Sequence, residues 1–213
     1  MEHFRILEGE GDVALKNYAQ TRLVNSKCDW QSGILDHIFR FYNKETKRVA
    51  VDGGANYGFV SNGLAQHFEE VYSFEVNPDI LDCLSYNTSY YTNIKVIDRG
   101  LYNAEGIVSL SSDGRRSGMV RIGEGDLVGR VTTLDSLNLE RVDFIKLDVE
   151  GSEYEALLGS IETIKRTKPV LYFEWNTQRT IKDELRRREI FELLDSLGYK
   201  FRDHRHYDFL FSV

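Results

Sequence analysis

Residues 51–58 read VDGGANYG, and they follow directly on the apolar approach of "RVAVD". An acid, three glycines and an asparagine stand where a buried strand stops. Gly53, Gly54 and Gly58 permit backbone angles or close approaches that a side chain would block, and Asn56 is the non-glycine residue most tolerant of a left-handed conformation. Such a turn can press its amides against a ligand. In an open parallel sheet, ligands bind beyond the carboxyl ends of the strands, and the first strand-to-helix turn usually contributes.

Strand and helix alternate outward from this turn. Ile34, Leu35, Ile38, Phe39 and Tyr42 recur at helical spacing ahead of the first strand. Val60, Leu64 and Phe68 mark the helix after the turn; "EEVYSFEV" reads as a second strand, and Pro78 opens another helix. "NIKVID" and "VDFIKLD" supply a third and a fourth strand. The continuous apolar character of the fourth suits a strand covered on both faces, and a helix from about Ser152 to Lys165 follows it. "PVLYFEW" is a fifth strand, and the helix from about Thr180 to Leu197 stops at Gly198. "YKFRD" and "YDFLFSV" are close enough to form an antiparallel hairpin. The expectation is a mostly parallel α/β sheet with an antiparallel edge, residues 1–47 forming a helical extension and residues 48–213 the main domain. The glycine-rich stretch 111–130 reads as a lid or a short extra hairpin.

Composition narrows the function. With 27 basic and 34 acidic residues the net charge is −7, which disfavours sequence-wide nucleic-acid binding. Cys28 and Cys83 are too few for a disulfide framework or a thiolate metal site. No stretch approaches the ~20 apolar residues of a membrane span, and no signal-peptide pattern opens the chain, so a cytoplasmic protein is expected.

Gly53, Ala55 and Gly58 half fit a dinucleotide fingerprint, with alanine where glycine would admit the pyrophosphate. Asp52 would repel a pyrophosphate and favour a ligand carrying an ammonium and a sulfonium, as S-adenosylmethionine does. Glu75 follows Asp52 by 23 positions, near the ~20-residue interval at which an acid grips ribose hydroxyls, a group shared by NAD and S-adenosylmethionine.

"VAVDGGANYGF", "YSFEVNP" and "VDFIKLDVEGSEYEALLG", in this order, resemble the FkbM-type family of S-adenosylmethionine-dependent methyltransferases. The resemblance covers about residues 48–213 and implies a Rossmann-like class I methyltransferase sandwich with strand order 3-2-1-4-5-7-6. It further implies S-adenosyl-L-methionine as cofactor, with Asp52, Gly54, Asn56 and Gly58 at the methionine end, Glu75 at the ribose and Asp98 near the adenine; Gly53 and Ala55 of the same turn are cofactor-binding candidates beside them. A small-molecule hydroxyl, on a sugar or other polar metabolite, is the implied acceptor.

A hydroxyl acceptor must lose a proton as the methyl arrives. Asp148 and Glu150 follow the fourth strand and Glu174 ends the fifth, so all three are candidate catalytic acids at the same rim. Asp148, Glu174 and Asn176 could also make an oxygen-rich cation site, although no spacing asserts a metal. Arg115, Arg116 and Arg121 could dock an anionic group on the acceptor, or be a solvated charge cluster. His67, His204 and His206 read as structural or solvated. Two further readings stay open: a NAD-dependent oxidoreductase, and a non-catalytic binding module that retains the fold.

Overall fold

The computed structural model describes residues 4–8, 29–42, 44–111, 120–175, 181–205 and 207–213. Helix α1 (Asp29–Phe41) precedes β1 (Val49–Gly53), α2 (Phe59–Ala65), β2 (Glu70–Phe74), α3 (Leu81–Thr88) and β3 (Ile94–Ile97). Four short strands follow: β4 (Gly100–Leu101), β5 (Gly106–Ser111), β6 (Arg121–Ile122) and β7 (Leu127–Thr132). The chain then runs through β8 (Phe144–Leu147), α4 (Glu153–Leu158), α5 (Ile161–Thr167), β9 (Val170–Glu174), α6 (Ile181–Ser196), β10 (Lys200–Arg205) and β11 (Asp208–Ser212).

Seven strands form the main sheet in the order β3-β2-β1-β8-β9-β11-β10. Numbered along the chain within this sheet alone, that is 3-2-1-4-5-7-6. The sheet is mixed: β3, β2, β1, β8 and β9 pair in parallel, while β11 runs antiparallel to both β9 and β10. Alternate residues of each central strand face opposite sides. Ala50, Val71, Phe144 and Val170 pack with Ile38 of α1 and Leu64 of α2, whereas Val51, Ile145, Leu147 and Phe173 pack with α4, α5 and α6. The α1 stripe foreseen from Ile34, Leu35, Ile38, Phe39 and Tyr42 thus joins the core of the sheet itself.

One expectation needs correction, and another is narrowed. A single helix from Ser152 to Lys165 is in fact two, α4 and α5, broken at Gly159 and Ser160. A Cβ at Gly159 would lie 1.9 Å from the Tyr102 carbonyl oxygen, so the chain bends where it meets that backbone. The described residues at either end of the stretch 111–130 take the hairpin alternative: β4, β7, β5 and β6 form a second, four-stranded sheet. Its glycines are contact points, since a Cβ at Gly129 would come within 2.7 Å of Val76. The second sheet therefore abuts the loop just beyond β2. Gly114, Gly118, Arg115 and Arg116, on which the lid reading also rested, lie outside the described residues.

Candidate active site

The turn after β1 is built as its residues suggest. The amides of Gly54 and Ala55 both donate to the Phe74 carbonyl, at 3.0 and 2.9 Å, which bends the chain over the end of β2. Gly54 has φ +75°, and a Cβ there would sit 1.8 Å from the Asp148 carbonyl oxygen, so β1 and β8 touch backbone to backbone at this point. Asn56 takes φ 51° and Gly58 φ 90° at the start of α2.

Glu75 braces the turn from the end of β2. Its Oε2 accepts from the Asn56 amide and its Oε1 from the Asn77 amide, each at 2.8 Å. Burial pushes this carboxyl upward from its ordinary pKa, and the amides of Asn77, Asn56 and Val76 pull it back only in part. A carboxylate has about four acceptor positions. The amides of Asn56 and Asn77 fill two of them and the Val76 amide bears on a third, which leaves capacity for a ligand hydroxyl. Asn56 Oδ1 is buried with no hydrogen-bond partner among the described residues. An orphaned acceptor in a turn of this kind suits an ammonium donor, so the residues fit the amino-acid and ribose ends of S-adenosylmethionine.

Asp52 differs from its expected role. It is 0% exposed, and both oxygens are engaged within the protein: Ser61 Oγ donates at 2.6 Å and Lys146 Nζ at 3.0 Å. The Ser73 hydroxyl extends the chain by donating to Ser61 at 2.8 Å. Asp52 therefore ties the turn from behind to Ser61 and Lys146. Lys146 is itself buried on β8 and also donates to the carbonyls of Gly54 and Gly53, at 3.1 and 3.4 Å. Burial alone would lower its pKa, but the carboxylates of Asp52 and Asp148 outweigh that and hold the ammonium above its ordinary range. Sequence reasoning did not place Lys146 at the turn. A lone cation inside the apolar "FIKL", facing the same side as Asp52 in the next strand, was the available signal.

The register brings the acids together. Lys146 pairs across to Asp52 on one side and Tyr172 on the other, and two residues further on Asp148 and Glu174 emerge at the carboxyl rim. Glu174 pairs with Asp208 of β11, an acid that sequence reasoning did not single out. Lys146 Nζ lies 3.6 Å from Asp148 Oδ2. Burial first, then the Asp148 carboxylate with which it shares a hydrogen bond, pushes Glu174 up to about 9. Burial and Asp148 also push Glu150 up to about 7, opposed by Arg121, whose guanidinium is 3.6 Å away. Asp208 is raised as well, chiefly by burial.

Glu150 has φ 52° and Gly151 φ 98°, so "DVEG" makes a tight left-handed bend. Glu153, not Glu150, secures it by accepting from the amides of Val149 and Gly151, both at 3.1 Å. Gly53 closes β1 against Leu147 and Leu101, and Ala55 is buried in the turn. Asp98 stands apart, exposed after β3 and 3.6 Å from Arg130. His67 stacks on Phe39 and His204 is exposed on β10. Asn176 and His206 lie outside the described residues, as does Cys28. Among the described residues no group of three histidine, cysteine or acidic side chains is placed to hold a metal ion, and no helix is long and apolar enough to cross a membrane.

An open sheet in this order, with a glycine turn after β1 and a buried acid after β2, defines the class I methyltransferase fold. More narrowly, the chain belongs to the FkbM methyltransferase family, whose domain model, "Methyltransferase FkbM domain", matches residues 52–201. Among solved structures it resembles a methyltransferase FkbM from Methylobacillus flagellatus, with 22% identity and a TM-score of 0.55 over 79% of this chain and 44% of the other. The chain thus spans less than half the length of that relative. An rRNA methylase from Streptococcus thermophilus shares the fold at 15% identity and a TM-score of 0.51, covering 89% of this chain and 96% of its own. No curated protein matches the sequence.

Proposed function

We propose that this protein transfers a methyl group from S-adenosylmethionine to a hydroxyl of a small polar molecule such as a sugar. The observation that supports this most is the row of acids, Asp148, Glu174 and Asp208, on the same face and at the same rim as the glycine turn and Glu75. When bound, S-adenosylmethionine supplies an electrophilic methyl on a positively charged sulfur. Gly54, Ala55, Asn56 and Gly58 would hold its amino-acid end, Glu75 its ribose and Asp98 the adenine side, while Asp52 and Gly53 shape the turn.

The chain's own acids divide the proton work. Asp148, paired with Lys146, is the carboxylate that accepts the hydroxyl proton at Oδ2. Glu174, protonated at neutral pH, donates a hydrogen bond to Asp148 and keeps a second negative charge out of the site. Glu150 stands at the edge of this group, turned toward Arg121.

The test is to incubate the full chain with S-adenosylmethionine and a panel of neutral sugars and polyols, and to measure S-adenosylhomocysteine formed. Acceptor-dependent product supports the reading. Binding of NAD without binding of S-adenosylmethionine would overturn it in favour of an oxidoreductase. Cofactor binding without turnover on any acceptor would favour a binding module.

A further inference from the structure

Residues 4–8 lie far outside the stretch matched by the family model, yet they bond directly to the glycine turn and to α3. Asn87 of α3 is 0% exposed and meets Arg5 as one strand meets another. Its Oδ1 accepts from the Arg5 amide at 2.7 Å and its Nδ2 donates to the Arg5 carbonyl at 2.8 Å. The same Nδ2 donates to the Tyr57 carbonyl at 3.0 Å, inside the turn. The Leu7 amide donates to the Tyr57 hydroxyl at 3.3 Å, so Tyr57 is held at its backbone and at its tip. Side chains reinforce the contact: the Phe4 ring stacks on Phe59 with centroids 4.2 Å apart, and the Arg5 guanidinium sits 3.4 Å above the ring of Tyr86.

Tyr57 stands between Asn56 and Gly58, both at positive φ. Conformations of that kind persist only where the surroundings over-determine them. We propose that segment 4–8 is a clamp on the cofactor turn and that Asn87 is the positioning residue that transmits it. Releasing the clamp lets Tyr57 and its neighbours leave the binding conformation. Apparent cofactor affinity then falls by the fraction of molecules that do so. Linkage requires the reverse as well: bound cofactor tightens the clamp. The proposal rests on the reading that the turn holds S-adenosylmethionine.

The experiment titrates S-adenosylhomocysteine into the full chain and into Phe4→Ala, Phe4→Tyr and Asn87→Asp, with thermal unfolding of each free protein and amide hydrogen exchange alongside. Phe4 is only partly buried, so its truncation leaves the fold in place even where Asn87 variants fail to accumulate. The dissociation constant is expected to rise about three- to tenfold in Phe4→Ala, the worth of one aromatic pair, and to recover in Phe4→Tyr. In the wild type, S-adenosylhomocysteine should slow exchange at the Arg5 and Leu7 amides. Unchanged affinity in Phe4→Ala, or no added protection at those amides, would overturn the clamp while leaving the cofactor reading intact. Failure of the wild type to bind at all would overturn the cofactor reading, and the clamp with it.

Discussion

An acid stands just outside each end of β8, Asp143 before it and Asp148 after it, and the two are treated in opposite ways. Asp143 is surrounded by donors: Thr46 Oγ1 at 2.9 Å, the Arg48 amide at 2.8 Å and the Lys44 ammonium at 3.7 Å. Asp148 has one cation, Lys146, which it shares with Asp52, and it faces Glu174 and Glu150, both pushed upward by burial and by Asp148 itself. Donors outnumber acids at one end and acids outnumber donors at the other. The first arrangement ties chain segments together. The second holds protons on carboxyls near neutral pH, as the proposed acid–base role requires.

The sharpest break in this contrast is Asp148→Asn. Turnover with the right acceptor should fall by about 10² to 10⁴, while S-adenosylmethionine affinity measured by calorimetry stays close to that of the wild type. A fully active variant would reduce Asp148 to a structural acid like Asp143. Removing the shared cation comes next. Lys146→Met leaves Asp52 buried without its charge partner and should cost about 3 to 5 kcal/mol in urea unfolding. Adding Asp52→Asn should restore part of that loss, because the two residues form one unit. An additive double variant would mean that the pair is not coupled.

At the other end, Asp143→Ala should cost about 1 to 3 kcal/mol of stability by orphaning the Arg48 amide and the Thr46 hydroxyl, with turnover unaltered. Lost turnover at full stability would reverse the assignment of the two ends. The last effect is one of pH. Glu174 binds its proton more tightly folded than unfolded, so its contribution to stability is fully present below its ordinary pKa and is lost as pH rises toward about 9. Melting temperatures of the wild type should therefore decline more steeply over that range than those of Glu174→Gln. Parallel profiles would mean that Glu174 is not held protonated.

The parts of this site that sequence disclosed are those written in local chemistry. Gly54, Asn56 and Gly58 require unusual backbone angles, and Glu75 ends a strand at a telling interval, so each could be read one residue at a time. What escaped depends on contacts between distant segments. Asp52 reads as a ligand-facing acid until Lys146, on a strand 94 residues away, is seen to take its charge. Asp208 gains meaning only when the antiparallel return of β11 sets it beside Glu174. The second sheet was hidden because two of its strands have only two residues and its glycines, such as Gly129 against Val76, mimic the composition of a loop. Residues 4–8 carry no motif at all, and half of what holds them is backbone pairing with one asparagine side chain.

Gly54 and Asp148 meet where no side chain could stand between them, and this contact works as a mechanical datum. In-line transfer is sensitive to errors of an ångström or less in the gap between donor and acceptor. Two strand ends in direct backbone contact can shift together but not easily apart, and the Asp148 amide also donates to the Gly53 carbonyl at 3.0 Å. On the proposed reading, the turn for the donor and the acid for the acceptor are thereby referenced to a single point in the molecule.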